Sequence, residues 1–426
     1  MAGLKEYKPY KHYEDAYAVW YKKKPAHWKC EKFKYYFSEK AKKNAAHLKA
    51  GAISFGEVTY KDENNLSIDT KNSYQEVLAG EFVINPLNLN FDLKSLRTAL
   101  SKINVVVSTG YIILRIHGLL NPHYSRWLLH QFDVSHMKTL GSGVRQTINY
   151  NDIGNSFFCR PPLEEQIKIA MFLDHKIVKI DSLIQKQQNL IELLKEKRQT
   201  VISHAVTKGL NLDVPMKDSG VEWLGYMPSH WHVSKIKWII CLKSGESITS
   251  NEIASDGNYP VYGGNGLRGF YKEYTHDGNY VIIGRQGAHC GNVQYANNKF
   301  WASEHAIVAT PTFKYKIAWL GELFRAMNLN QYSVSAAQPG LAVENISDLK
   351  IPIPPYPEQK KLAKYIENHI SINDKLIKNS LNCIKLLKER RTALIAAAVT
   401  GKIDLRDWTP PASSAEASLA AEEATA

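Results

Sequence analysis

Residues 161–208 read PPLEEQIKIAMFLDHKIVKIDSLIQKQQNLIELLKEKRQTVISHAVTK, and residues 354–401 read PPYPEQKKLAKYIENHISINDKLIKNSLNCIKLLKERRTALIAAAVTG. The two stretches align without a gap at an offset of 193 residues, so that Glu165-Gln166 meets Glu358-Gln359 and Ala205-Val206-Thr207 meets Ala398-Val399-Thr400. About four in ten aligned positions are identical. A repeat of this length sets the architecture before any local argument is made.

Each copy predicts a long helix. Apolar residues of the first fall at Ala170, Leu173, Ile177, Ile180, Ile184, Ile191, Leu194, Val201 and Ala205. Most steps are of three or four residues, or sum to seven, the spacing of a coiled-coil seam. The second keeps the seam at Ala363, Ile366, Ile370, Ile377, Ile384, Leu387, Leu394 and Ala398. The proline pair ahead of each copy blocks extension upstream. About 40 residues rising about 1.5 Å each make a rod of roughly 60 Å. A helix with one apolar stripe needs a partner, and the expected partner is the other copy, packed antiparallel. Gln187, Asn373 and Ser380 interrupt the seams and are expected to set register at some cost in stability.

The repeat extends beyond the helices. Trp20 and Pro25-Ala26-His27-Trp28 match Trp223 and Pro228-Ser229-His230-Trp231 at an offset of 203, as Asp15 matches Asp218. The offset then falls to 193, so the first globular stretch is about ten residues longer than the second. The His-Trp pairs are read as packing and polar anchors at the start of a domain, because no acid–base partner recurs at a fixed spacing. Between these lead-in motifs and the helices lie β-rich runs: Glu81–Ile84, Val105–Val107 and Tyr111–Ile116 in the first stretch, Tyr280–Ile283 in the second. Each stretch also carries a helix, over Tyr124–Phe132 and Ile317–Asn328. Glycines cluster at Gly263–Gly269, Gly284–Gly291 and Gly141–Gly143, where they allow tight turns and close backbone approach to a ligand. The segment Ser335–Gly340 takes the place of the Arg145-Gln146 loop.

A chain of 426 residues supports two or three domains. Its formal charge of +13 favours a polyanionic partner. The first 50 residues hold 13 lysines against five acids, interleaved with tyrosines and phenylalanines, a pattern that suits either a nucleic-acid surface or a solvated basic arm. Five scattered cysteines, Cys30, Cys159, Cys241, Cys290 and Cys383, weigh against a disulfide framework or a structural zinc site and fit a reducing cytoplasm. No apolar run reaches the length of a membrane span or a signal-peptide core.

Taken together, these strings make the chain similar, over nearly its whole length, to the specificity subunit of type I restriction–modification systems. The resemblance is carried by the paired Pro-x-His-Trp motifs, YPVYGGNG at 259–266, IIGRQG at 282–287, IPIPP at 351–355 running into Glu358-Gln359, and the Leu-Leu-Lys-Glu-(Lys/Arg)-Arg centres at 193–198 and 386–391. Val19-Trp20-Tyr21-Lys22 departs from Glu222-Trp223-Leu224-Gly225 of the second copy. The resemblance implies an α+β chain in which two α/β target recognition domains are separated by two long helices forming an antiparallel coiled coil, a pseudo-twofold internal repeat. The expected division is a basic, aromatic arm (1–19), a first recognition domain (20–160), a spacer helix (161–210), a second recognition domain with its linker (211–353), a second spacer helix (354–403) and a low-complexity tail (404–426). Each domain is expected to read one half of a bipartite target in double-stranded DNA, and the helix pair to set the gap. Two methyltransferase subunits, and through them restriction (translocase) subunits, are the expected partners. S-adenosylmethionine, ATP and Mg2+ are expected in those partners, with none bound by this chain.

Base readout uses Arg or Lys against guanine and Asn or Gln against adenine. On the glycine-rich loops the candidates are Asn265, Arg268, Arg285 and Gln286 in the second domain, and Arg145, Gln146 and Ser142 in the first. Lys32, Lys34 and Lys243 are candidates for phosphate contacts, which position without specifying. No catalytic or metal-binding residue is assigned. Asn85-Pro86-Leu87 lacks the second proline and the aromatic residue of an amino-methyltransferase motif, no glycine loop sits on a strand–helix turn, and no phosphate-binding Gly-Lys-Ser/Thr string is present. The competing readings are a single-chain methyltransferase or nuclease and a coiled-coil adaptor without a DNA role.

Overall fold

The structure is a computed structural model that describes residues 7–410 apart from 55, 65, 88–95, 142–146, 212, 288 and 334–339. Four helices carry the architecture: α1 (Pro122–Phe132), α2 (Leu163–Lys208), α3 (Ile317–Ala326) and α4 (Tyr356–Val399). At 46 residues, α2 is about 69 Å long. The chain forms two compact units, Met1–Lys186 with Cys383–Ala426, and Gln187–Asn382. Each unit takes one half of α2 and the opposite half of α4, so the helices pair antiparallel within each.

The seam is the one expected. Ala170, Leu173, Ile177, Ile180, Leu394 and Ala398 are buried in the first unit, and Ile191, Ala205, Ala363 and Ile366 in the second. Register is marked by Arg391 Nε donating to Asp181 Oδ1 at 3.0 Å in the first unit and Arg198 Nη1 donating to Asp374 Oδ1 at 3.0 Å in the second. Asn373 is buried, but its amide donates to the His369 carbonyl one turn back on its own helix, at 2.9 Å. It thereby satisfies itself locally, where a role in register was expected.

In the first unit β1 (Tyr13–Asp15) pairs antiparallel with β2 (Lys23–Pro25), and β3 (Lys29–Lys32) with β12 (Phe157–Arg160), the strand that delivers the chain to α2. The main sheet runs in the order β4 (Phe37–Glu39), β11 (Ile112–Ile116), β8 (Phe82–Ile84), β9 (Thr98–Leu100), β6 (Glu57–Tyr60), β5 (Gly51–Ser54); β7 (Gln75–Val77) and β10 (Val105–Val107) form a separate pair. Helix α1 buries Trp127, Leu128 and Phe132 in a core shared with Phe33, Phe37, Phe82, Phe172 and Leu173.

The second unit repeats the plan. β13 (Met216–Asp218) pairs with β14 (Tyr226–Pro228), and β15 (His232–Lys235) with β24 (Lys350–Ile353), which delivers the chain to α4. The main sheet runs β16 (Ile240–Ser244), β23 (Ala306–Pro311), β20 (Tyr280–Gly284), β21 (Val293–Ala296). The order matches β4, β11, β8, β9. Helix α3 follows β23 as α1 follows β11, and buries Trp319, Leu320, Leu323 and Phe324 against Val281, Ile283, Ile307 and Ala309. A second sheet has the order β18 (Gly266–Tyr271), β17 (Tyr259–Gly263), β22 (Lys299–Ala302), β19 (His276–Asp277). Gly263–Gly269, expected as a loop, is therefore a hairpin whose only non-strand residues are Gly264 and Asn265.

Three further expectations change. From Tyr7 onward the N-terminal segment is not a solvated arm: Tyr10, Tyr21 and Phe33 are core residues, and buried Lys24 pairs with the exposed Glu14 at 2.8 Å. Its aromatic residues divide between core and surface, with Tyr17 and Tyr35 exposed. The start of the presumed tail is also packed. Ile403 and Leu405 are buried, Trp408 meets the Phe172 ring edge-on, and the Asp404 N–H donates to the Lys8 carbonyl at 2.8 Å. Finally, Cys30 and Cys159 face each other across the β3–β12 ladder and are joined as a disulfide. A separation of 129 residues hides this pairing in the sequence.

Two predictions follow from packing. Gly209 and Gly401 end the two long helices with φ of 80° and 69°. A Cβ at Gly401 would lie 2.5 Å from Pro25 Cδ, whereas at Gly209 its nearest neighbour is a side-chain oxygen of Glu358 at 3.3 Å. Gly209→Ala is expected to cost about 1 kcal/mol from backbone strain alone, and Gly401→Ala a further ~1–3 kcal/mol from overlap; urea denaturation showing equal losses contradicts this packing. His130 on α1 is buried, and burial, reinforced by the Arg391 and Arg126 guanidinium groups, holds its pKa down to about 4. The folded protein thus keeps the ring neutral while the unfolded chain protonates it. The associated stability is present above about pH 6.5 and is lost as pH falls toward 4, by up to roughly 3 kcal/mol. His130→Gln is expected to flatten that acid limb in denaturation midpoints measured across the window.

Candidate nucleic-acid interface

The lead-in motifs and the helix starts meet at one polar node in each unit. In the first, the Trp28 indole Nε1 donates to Glu165 Oε2 at 2.9 Å and His27 Nε2 lies 2.6 Å from Glu165 Oε1. In the second, Trp231 Nε1 donates to Glu358 Oε2 at 3.0 Å, and His230 Nε2 lies 2.8 Å from the same oxygen. The neighbouring glutamines repeat as well. Gln166 and Gln359 donate to the carbonyls of Pro161 and Pro354 at 2.9 and 3.0 Å, and accept from the Asn121 and Lys316 N–H groups, which lead into α1 and α3. The acid partner of each His-Trp pair therefore does recur. It was missed because its spacing differs between the copies by the ten extra residues of the first globular stretch.

These nodes seat each globular sheet on the helices and leave the opposite strand ends free to carry polar side chains. In the second unit three segments converge there: the β17–β18 turn, the residues after β20, and the residues before β23. Glycine permits it. A Cβ at Gly264 would lie 3.1 Å from the Gln286 carbonyl oxygen and 3.3 Å from that of His305, and one at Gly284 would strike the Gly264 carbonyl. The backbones are locked by Arg285 N–H donating to the His305 carbonyl at 2.9 Å and Leu341 N–H donating to the Arg285 carbonyl at 2.8 Å.

Four of the expected residues are brought together on this edge. Asn265 is exposed at the turn, Arg268 is exposed on β18, Gln286 is exposed, and Arg285 is half-buried with its Nη1 3.5 Å from the Glu304 carbonyl. His289, Glu304 and His305 join them and were not anticipated. For Glu304 and His305 the signal was a polar Ser-Glu-His string, 303–305, between two apolar strands. Lys243 is exposed on the edge strand β16. Lys32 and Lys34 lie elsewhere, by the β3–β12 pair: Lys32 sits over the Phe157 ring at 5.3 Å and Lys34 donates to Asn155 Oδ1 at 3.1 Å. Ser142, Arg145 and Gln146 fall outside the described residues. Ile148 beyond them donates to the Pro86 carbonyl at 3.2 Å as Leu341 does to Arg285, so Asn85-Pro86-Leu87 follows β8 where Arg285-Gln286 follows β20.

The edge is rich in hydrogen-bonding side chains. It combines amide, guanidinium and imidazole groups, which between them can both donate and accept hydrogen bonds. Its one thiol, Cys290, is buried, donates to the Arg285 carbonyl, and has its pKa raised by burial, which keeps it protonated. Among the described residues no cluster of three or more His, Cys, Asp or Glu side chains could hold a metal ion, and no helix is long and apolar enough to cross a membrane.

Residues 228–386 match the family model of the type I restriction modification DNA specificity domain. The type I restriction enzyme EcoprrI specificity subunit of Escherichia coli is 38% identical over 142 residues, 32% of this chain and 35% of that protein. The chain thus spans about a third of the length of this curated relative. Among solved structures, a chain of a type I R-M system described for its complex assembly and conformational transition is 15% identical, with a TM-score of 0.68 over 89% of this chain and 99% of its own. The HsdS subunit of Thermoanaerobacter tengcongensis is 14% identical, with a TM-score of 0.50 over 89% and 98%. At these identities the structural likeness is one of fold.

Proposed function

We propose that this chain, similar over residues 228–386 to the type I restriction modification DNA specificity domain, is a non-catalytic DNA-reading subunit that works in the cytoplasm. Each recognition domain, over 20–160 and 211–353, reads one half of a bipartite duplex target. The helix pair sets the gap and docks two methyltransferase subunits, through which restriction subunits join. S-adenosylmethionine, ATP and Mg2+ do their work in those partners. The observation that carries the reading is the convergence of Asn265, Arg268, Arg285 and Gln286 on one glycine-packed edge. Because the two globular stretches differ in sequence while their sheet order repeats, the two half-sites differ as well. A net charge of +13 supports the phosphate-dependent part of binding.

The division between specifying and positioning groups is tested by substitution. Arg268→Ala and Arg285→Ala are expected to weaken binding to the specific duplex by about 1–3 kcal/mol each and to leave random duplex nearly unaffected. Lys243→Ala is expected to weaken both alike and to lower the salt slope by about one. Equal losses on both duplexes for the arginine variants, in titrations at varied salt, contradict base reading. The gap-setting role has its own test. Four residues added to α2 and four to α4, at the 186/187 and 382/383 junctions, lengthen each helix by about 6 Å and are expected to widen the preferred gap by roughly one to two base pairs at about 3.4 Å each. Mapping of N6-methyladenine in cells expressing the complex reads this directly, and an unchanged gap rejects it.

A further inference from the structure

We infer that His305 is a positioning residue for Gln286: backed by Glu304, it holds the Gln286 amide in one orientation toward the base pair that this side chain reads. The inference rests on the proposal that this edge reads DNA, and goes on to say what sets the specificity of one of its members.

The geometry is a relay along the edge. The Ile248 N–H donates to Glu304 Oε2 at 3.3 Å. Glu304 Oε1 lies 3.2 Å from His305 Nε2, and His305 Nδ1 lies 2.9 Å from Gln286 Oε1. A carboxylate only accepts, so the imidazole carries a proton on Nε2; Nδ1 then bonds the Gln286 amide by accepting from its NH2 end, the O and N ends being exchanged by a simple flip, or in the imidazolium by donating to Oε1. The backbones on either side have no slack. Gln286 bridges to Gly340, Arg285 N–H is bonded to the His305 carbonyl, and the Gly264 turn sits on the carbonyls of both 286 and 305. The remaining freedom of Gln286 lies in its side chain, and His305 removes it. An amide held by one polar atom presents the other at a fixed place. A bidentate contact to a base needs that, because an unconstrained glutamine must be ordered at the moment of binding. Stability is a poor reason for the relay. Gln286 is exposed, the His305 and Glu304 side chains are 42% and 32% exposed, and exposed polar pairs of this kind contribute little to folding.

The test uses the full chain in complex with its methyltransferase partner, selected against a pool of duplexes randomised across the target, with thermal midpoints measured in parallel. Four variants are compared: Gln286→Ala, His305→Ala, His305→Asn, and the double Gln286→Ala/His305→Ala. Loss of a good bidentate contact corresponds to roughly 5- to 150-fold in discrimination at one base pair. His305→Ala is expected to relax the same single position as Gln286→Ala, within the lower half of that range, without lowering the thermal midpoint. His305→Asn places an amide near the former Nδ1 and is expected to restore most of the preference. The double variant is expected to be no worse than Gln286→Ala alone. If Gln286→Ala relaxes one position and His305→Ala leaves it intact, or relaxes a different one, the positioning role is overturned while base reading by this edge stands. If neither variant changes any position, base reading by Gln286 is itself overturned, and the inference with it. A fall in thermal midpoint shared by His305→Ala and His305→Asn, with the preference intact, assigns His305 to folding and overturns the inference.

Discussion

Two carboxylates hold this chain together. Glu165 and Glu358 stand in the first turn of the two long helices, and each collects an indole N–H and an imidazole nitrogen from a Pro-x-His-Trp motif well over a hundred residues upstream. Trp28 and Trp231 are among the largest fully buried side chains. Burying an indole N–H or a carboxylate without a partner is costly, so each group makes the other's burial possible. The adjacent glutamine closes the arrangement by taking the N–H at the start of α1 or α3 and returning an amide hydrogen to the proline carbonyl. Lead-in motif, sheet helix and long helix are thereby tied at a single point in each unit.

That anchoring explains how one scaffold carries two differently sized domains. The sheet order β4-β11-β8-β9 recurs as β16-β23-β20-β21, and the strand pairs β3–β12 and β15–β24 lead into α2 and α4 in the same way. What varies is added around this common sheet order. The first unit extends its sheet with β6 and β5, whereas the second adds the β17–β18 hairpin and its neighbours. The departure at Lys22 is absorbed without a change of path: its φ of 56° is close to the 62° of Gly225.

Much of the scaffold was legible in the sequence because helices advertise themselves locally. Steps of three and four residues in Ala170, Leu173, Ile177 and Ile180 state both the secondary structure and the buried face, and an ungapped repeat names the partner. The second-domain edge was partly legible. Glycine strings flagged where backbones come close, and the structure places Asn265, Arg268, Arg285 and Gln286 along one such edge. They did not reveal that Gly263–Gly269 is a hairpin, since a strand that packs through glycine has no side-chain alternation to show. Nor did they point to His305, which lies in the turn before β23 with its carbonyl accepting from the Arg285 N–H. The basic, aromatic N-terminus was misjudged for a related reason. Tyrosines in a lysine-rich stretch have the composition of a surface, and only the pairing of β1 with β2 and the arrival of Ile403 and Leu405 make Tyr10 a core residue.

The sequence by itself determined the repeat, the two long helices with their seam, the pair of sheet-bearing stretches and the family to which they are similar. These are properties of short-range periodicity and of identity between aligned strings, and both can be read without knowing where any residue lies. The tertiary structure decided which groups meet. It paired Glu165 with Trp28 and Glu358 with Trp231, joined Cys30 to Cys159 across β3 and β12, turned Asn373 onto its own helix, and set Gln286 beside His305 and Glu304. Contacts between residues far apart in the chain depend on strand order and register, and these arise from the simultaneous burial of many apolar faces, a condition that no single stretch of sequence contains.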